Sequence, residues 1–400
     1  MNIRLVRIID YYFGIPICFF LTLINKIFPR KPLNPHQDKV RSVLFIELSE
    51  MGSTILAYSA INEVRNKYPD AQLFFLIFNR NKESVELLKI IKNENILTLR
   101  DKNFFLFLVD NIKLIFKFAR LKIDIAYDLE LFSRYSVILT YLSGARTRVG
   151  FHRYTAEGLY RGNLLTHNVY YNTHVHMVHN FLALIQASFE DPKNVPMLKR
   201  AKAGGALIRL PEFQFDENLL SKYENLIFNK SKKTLIINPN VGSTLPIRGW
   251  GTENFAKVVH QVISLLDLNV IIVGLSEAAK DAQYILNQVG HRPNIVDLTG
   301  KTKNIYELIH VIQSGDIFLT NDSGPAHFAS LTKSHILVLF GPETPDLYGP
   351  ISSKSIPLYS HYLCSPCLTA RNHRNTICRD NQCLQAITPE RVVGEIKQLV

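Results

Sequence analysis

Two series of short, predominantly apolar runs, each run separated from the next by a helix-length amphipathic stretch, constrain this chain more than any other feature. In the first series, "VRSVLFIEL" (residues 40–48), "QLFFLIF" (72–78) and "IDIAYDL" (123–129) are short and bounded by polar or turn residues. Such runs suit strands buried on both faces of a parallel sheet, where no alternation with polar residues is needed. Between the first two, Leu56, Ala60 and Val64 recur at four-residue spacing and Pro69 ends the stretch, which predicts a helix with one core face. A second series follows a loose glycine-, lysine- and proline-rich stretch at 201–211: "TLIINP" (234–239), "NVIIVG" (269–274), "NIVDLTG" (294–300), "DIFLTN" (316–321) and "HILVLFG" (335–341). One hydrophobic core rarely organises 400 residues, so two tandem doubly wound, Rossmann-like α/β domains are expected. The expected boundaries are 36–205 for the first, 206–385 for the second, and a closing amphipathic helix at 386–400.

Charge narrows the partners. The 46 Lys and Arg outnumber the 34 Asp and Glu by 12, which favours nucleotide diphosphates, phosphorylated glycans or acidic lipid headgroups. No nucleic-acid partner is expected, because the basic residues are scattered and neither an arginine-rich arm nor a zinc-finger or RNA-binding signature occurs. The segment "YYFGIPICFFLTLIN" (11–25) is uncharged, short for a membrane span, and lacks the small-residue cleavage site of a secretory signal. Arg4 and Arg7 precede it and Lys26, Arg30 and Lys31 follow, so both flanks belong on a cytoplasmic side. Residues 1–35 are therefore expected to form a membrane-associated re-entrant or in-plane segment, broken midway at Gly14 and Pro16. The alternative is an apolar helix docked on the protein itself. Three prolines in "PRKPLNPHQDK" (29–39) mark a linker.

The stretch "TNDSGPAHFAS" (320–330) sits where a strand should hand over to a helix, with Pro325 suited to the first helical turn. Ser323 and Gly324 can offer backbone N–H groups to a diphosphate, and Asp322 is better suited to accepting hydrogen bonds from sugar hydroxyls. An ordinary helix N-cap with a buried His327 is the plainer alternative. Glycine-bearing loops after neighbouring strands ("VGS", "VGLSE", "LTGKT", "FGPETP") favour nucleotide-diphosphate binding.

The longer stretch "TNDSGPAHFASLTKSHILVLFGPETPDLYGP" resembles the signature of glycosyltransferase family nine, the ADP-heptose:lipopolysaccharide heptosyltransferase family. The similarity runs from about Arg41 to the C-terminus, through "LFIELSEMGSTILAYSAINEVRNKYPDA", "YDLELFSRYSVILTYLSGARTRVGF", "INPNVGSTLPIRGWGTENFAKVV" and "CSPCL". It implies a GT-B fold, an N-terminal acceptor domain, a C-terminal nucleotide-sugar domain, and a closing helix laid back across the first domain. It also implies metal-independent, inverting transfer from an ADP-heptose-like donor to a lipopolysaccharide core or other lipid-linked glycan, at the cytoplasmic face of the bacterial inner membrane. By the same resemblance, Asp322, Ser323, Gly324 and His327 hold the donor's sugar and phosphates, and Arg248 neutralises its diphosphate. Ser243 and Thr244 place hydroxyls near the phosphates, and Glu277 contacts the ribose unless it is only a helix N-terminal acid.

The chain departs from that pattern at one place. Relatives with demonstrated heptosyl transfer read Gly-Asp in the first loop, and this chain reads Gly52-Ser53. A serine is no equivalent base, and inverting transfer needs a group that takes the acceptor's hydroxyl proton. Glu50, in "SEMGS", is the nearest replacement, since Glu47 falls within the strand. The opposing expectation is a catalytically degenerate partner protein that binds nucleotide sugar or glycan without transferring it.

Apart from Cys18, the cysteines form a C-x2-C-x10-C-x4-C pattern, Cys364, Cys367, Cys378 and Cys383, near His361 and His373. This spacing is compatible with a structural zinc. A metal-free structural tail, as the resemblance suggests, is the alternative, and no cofactor is expected in catalysis. His174, His176 and His179 in "HVHMVHN" are expected to pack rather than to bind metal.

Overall fold

The computed structural model describes residues 10–34, 37–155, 158–201, 207–242, 245–290, 292–372 and 374–400. The chain forms two compact units, one of residues 1–211 with 370–373 and one of residues 212–369 with 374–400. The boundary thus falls after Pro211 rather than at 205, and the N-terminal segment belongs to the first unit instead of standing apart.

The first unit carries the strands β1 (Ser42–Ile46), β2 (Gln72–Phe78), β3 (Ile96–Leu99), β4 (Ile125–Asp128), β5 (Thr147–His152) and β6 (His167–Tyr170). They pair in parallel in the order β3-β2-β1-β4-β5-β6. Its helices are α1 (Ile15–Ile27), α2 (Met51–Lys67), α3 (Lys82–Glu86), α4 (Phe104–Leu121), α5 (Arg134–Leu142) and α6 (Met177–Ala187). All five residues of β1 are buried, as expected of a central parallel strand. Leu56, Ala60 and Val64 are the buried face of α2, which ends just before Pro69.

Pro16 does not break the apolar N-terminal segment. It lies in the first turn of α1, where a missing N–H costs no hydrogen bond, and a π-helical turn (Asp10–Gly14) precedes it. Gly14 and Cys18 face the unit, and Gly162 comes so close that a Cβ there would lie 2.3 Å from Thr22 Oγ1. No helix among the described residues is long and apolar enough to cross a membrane.

The second unit repeats the plan with β7 (Thr234–Asn238), β8 (Asn269–Ile272), β9 (Ile295–Asp297), β10 (Ile317–Asn321), β11 (His335–Phe340) and β12 (Ser355–Tyr359). These also pair in parallel, in the order β12-β11-β10-β7-β8-β9. Its helices are α7 (Glu217–Glu224), α8 (Thr252–Leu266), α9 (Ala279–Val289), α10 (Ile305–Ser314), α11 (Gly324–Ala329), α12 (Pro345–Tyr348), α13 (Gln382–Gln385) and α14 (Pro389–Lys397). The closing helix α14 departs from expectation. Val392, Val393 and Ile396 lie in the second unit's own core with Val258, Val259 and Val262 of α8, because its apolar stripe finds a complementary one there. In each sheet the strand order reverses between the two central strands, β1 and β4 or β7 and β10, which leaves a crevice at their carboxyl ends.

Candidate functional site

In the second unit, the loops leaving β7 and β10 supply the charged residues of that crevice. Arg248 closes a 3-10 turn (Pro246–Arg248). Three anchors fix the segment behind it. The Trp250 amide donates to Asn321 Oδ1 (2.9 Å), its indole N–H donates to the Ile387 carbonyl (2.8 Å), and Asn381 Nδ2 donates to the carbonyls of Ile247 (3.0 Å) and Gly249 (2.7 Å). Asn321 in turn donates to the Pro239 carbonyl at the end of β7 (2.9 Å), so one side chain ties both central strands to the arginine loop. Arg248 Nη1 lies 3.3 Å from Asp322 Oδ2, while its buried Nε has no hydrogen-bond partner among the described residues.

A second carboxylate, overlooked in the sequence, shares this place. Glu343, in the "GPETP" loop after β11, is buried, with Arg374 Nε 3.3 Å from its Oε1. Burial pushes the Glu343 carboxyl well above its ordinary range and the nearby charge of Asp322 pushes it further, against the pull of Arg248. Burial likewise raises Asp322, and Arg248 opposes the rise. Asp322 and Glu343 therefore compete for the positive charge of Arg248, and an arriving anion would enter a site where a fixed guanidinium is already poised. The loop signal "FGPETP" was visible in the sequence; its acid becomes significant only once β11 is seen beside β10.

The other expected donor residues distribute as follows. Ser323 stands at the N-cap of α11 but does not cap it; its hydroxyl donates to the Asn321 carbonyl (3.2 Å), so the plain capping alternative is not what forms. Gly324 begins α11, and His327 is buried on it. Glu277 is exposed on the turn after β8, the strand next to β7, with Ser276 Oγ donating to it (3.1 Å). Ser243 and Thr244 lie outside the described residues, as does His373.

In the first unit, Glu50 occupies the N-cap position of α2, and its carboxylate accepts a hydrogen bond from Ser53 Oγ (3.1 Å). Glu47 is buried just after β1. Glu130, beyond β4, braces the same loop by accepting from the amides of Leu48 (2.8 Å) and Ser49 (3.2 Å). Asp128, the last residue of β4, is buried 3.7 Å from Arg161; burial pushes its carboxyl up to about 7, against the attraction of that guanidinium. Both acids stand in "YDLE", where sequence alone does not tell a buried carboxylate from a solvated one.

No group of three or more His, Cys, Asp or Glu among the described residues could hold a metal ion. Cys367 Sγ accepts from Thr376 Oγ1 (3.7 Å) and Cys378 Sγ lies 3.4 Å from Asp380 Oδ1, so these thiols are turned to other partners. Burial and the neighbouring thiols push Cys383 up to about 11. His176 caps α6 by accepting from the Val178 amide (3.3 Å), in keeping with a packing role for that histidine segment.

The model of glycosyltransferase family 9 (heptosyltransferase) matches residues 113–377. Lipooligosaccharide heptosyltransferase 2 of Campylobacter jejuni subsp. jejuni serotype O:6 is 29% identical over 182 residues, 44% of this chain and 55% of that protein. Lipopolysaccharide heptosyltransferase 2 of Salmonella typhimurium is 26% identical over 163 residues, 39% of this chain and 43% of that one. The chain thus spans about half the length of the curated relatives it matches. Among solved structures, E. coli ADP-heptose LPS heptosyltransferase II has a TM-score of 0.68 at 19% identity, covering 90% of this chain and 98% of that one. The family 9 glycosyl transferase of Veillonella parvula follows with 0.67 at 17% identity, covering 90% and 97%. These likenesses show the fold, a GT-B pair of parallel-sheet domains.

Proposed function

The chain belongs to glycosyltransferase family 9, and from that premise we propose that it is an inverting glycosyltransferase. It moves heptose or a related sugar from an ADP-heptose-like donor to a lipopolysaccharide core or other lipid-linked glycan. The observation that carries this reading is Arg248, held by Asp322 through Nη1 while its buried Nε remains without a hydrogen-bond partner among the described residues. A permanently charged guanidinium with an unused donor suits a diphosphate, whose leaving oxygens gain negative charge as the bond to the anomeric carbon breaks. The acceptor oxygen forms the new bond on the opposite face, and its proton passes to Glu50, whose contact with the Ser53 hydroxyl places it beside the position where relatives carry their acid. In this reading Arg248 supplies the positive charge and no metal is required. The charge excess of 12 and the apolar helix α1 favour work at the cytoplasmic face of the bacterial inner membrane.

Release of ADP from ADP-heptose, measured with and without a lipopolysaccharide core acceptor, tests the reading. Acceptor-dependent release is expected, abolished in Glu50→Gln while ADP binding persists; unchanged turnover in that variant would remove Glu50 from the role. Ser53 motivates the second reading, a binding partner without transfer, and ADP binding with no acceptor-dependent release would favour it. Metal analysis of the purified protein separately decides between a structural zinc at Cys364, Cys367, Cys378 and Cys383 and a metal-free tail.

A further inference from the structure

We propose that α1 and α4 form one membrane-seating face of the first unit, lying in the plane of an anionic bilayer with their outward apolar sides at the boundary of headgroups and acyl chains. The proposal deepens the membrane location suggested above and rests on it, but it arises from a different element. Helix α4 is apolar on both sides. Leu114 and Phe118 pack into the core with Leu44, Leu97 and Leu139, while Phe105, Leu108, Ile112 and Phe116 point outward, Phe105 and Phe116 at 71% and 66% exposure. A surface helix ordinarily turns charge to water, and one apolar all round is ordinarily covered. Helix α1 and the π-helical turn before it have the same anomaly, with Cys18 buried while Tyr12 and Phe13 of the turn and Phe20 and Ile27 of the helix are exposed.

The two helices flank a third on the same side of the sheet. Tyr135 of α5 donates to Asn111 Oδ1 of α4 (2.7 Å), and its ring centroid lies 5.4 Å from that of Phe107. The adjacent Arg134 pairs with Asp10 ahead of α1, and Val137, Ile138 and Tyr141 pack with Cys18. Helices α1 and α4 are thus both neighbours of α5, and each turns its apolar side away from it to solvent.

Charge identifies what covers it. Helix α1 has no acid, and the nearest acids are engaged: Asp10, in the π-helical turn before α1, by Arg134, and Asp110 of α4 by Arg100. What is left around the apolar surface is cationic: exposed Lys113, Lys117 and Arg120 on α4, and exposed Lys26 and Lys31 at the end of α1. Aromatic and aliphatic side chains ringed by lysine and arginine match acyl chains beneath anionic headgroups. Thirteen residues of α1 reach ~20 Å, less than a hydrocarbon core, and α4 carries four charges, so both lie in the plane.

Co-sedimentation of the full chain with vesicles of phosphatidylethanolamine and phosphatidylglycerol, against vesicles of phosphatidylcholine, tests this. The wild type should pellet with the anionic vesicles, and the combined variant Phe105→Ser, Ile112→Ser, Phe116→Ser should lose about tenfold or more in partitioning. Its melting temperature and ADP binding should be unchanged, because the three side chains touch neither core nor donor site. A charge variant, Lys113→Gln with Lys117→Gln, should lose the preference for anionic over neutral vesicles. Wild-type partitioning in the triple variant overturns the proposal, as does equal binding of the wild type to both vesicle types. A dimer that the triple variant dissociates, with no vesicle binding, also overturns it and makes the face a contact between copies. Acceptor-dependent ADP release with a delipidated acceptor is read on the same preparations. Vesicle binding without release defeats the enzymatic reading alone, and release without vesicle binding defeats this proposal alone.

Discussion

At the scale of single residues, two buried charge arrangements give opposite kinds of prediction. Arg248 is the cation proposed to face the diphosphate, so Arg248→Ala should weaken ADP binding about tenfold to hundredfold, the worth of hydrogen bonds to a charged group. Arg248→Lys should recover only part, because an ammonium lacks the guanidinium's planar fork. Titration calorimetry well below the melting point separates this from the instability that a buried, unpaired Asp322 adds. Asp128 is a matter of stability. Its folded-state carboxyl titrates at about 7, above the ~4 of an unfolded aspartate, so the folded protein holds a proton that the unfolded chain has released. This contribution is full below about pH 4 and is lost as pH rises through about 7. Asp128→Asn should therefore lose less melting temperature between pH 4 and 7 than the wild type, and an unchanged difference would mean that Arg161 keeps Asp128 ionised throughout. Asp322 was legible in the sequence because it follows an apolar run and precedes a proline and a helix. Glu343 and Asp128 were not, since nothing local distinguishes an acid that folding buries.

At the scale of elements, the central strands were readable because apolar residues dominate them and polar ones fall mostly at their ends. The strands that escaped notice each carry a disguise. β5 contains Arg148, a buried arginine whose Nε and Nη1 donate to the carbonyls of Leu164 (2.6 Å) and Ala145 (2.8 Å), so a charge that suggests a loop is satisfied inside. β12 contains Pro357, tolerated because the strand is at the edge of its sheet. β3 and β6 are four residues long each, at the two edges of the other unit's sheet. The mooring of α1 could not be foreseen either, since it depends on Gly162, at φ 67°, meeting Cys18 and Thr22. Gly162→Ala would set a methyl 2.7 Å from the Cys18 carbonyl oxygen, in a backbone conformation that alanine resists. We expect about 1–3 kcal/mol of destabilisation, seen as a lower melting temperature, together with faster proteolysis between residues 10 and 30. Unaltered proteolysis would mean that α1 is held by its other contacts, among them Asn25 Nδ2 donating to the Asn163 carbonyl (3.1 Å).

For the whole molecule, two sheets of the same strand order carry different side chains on their central loops. The first unit's crevice presents carboxylates, Glu50 and Glu130, suited to receiving a proton and fixing a loop; the second presents a guanidinium backed by two buried acids, suited to a diphosphate. The doubly wound order was legible from the rhythm of strand and helix, whereas the division of labour needed the side chains in place. The measurement that tests the account most directly is calorimetric titration of the full chain with ADP, GDP, UDP and CMP, run in parallel on Arg248→Ala. The account predicts selective binding of ADP and its marked weakening in the variant. Binding of none of the four, or ADP binding as tight in Arg248→Ala as in the wild type, would contradict it.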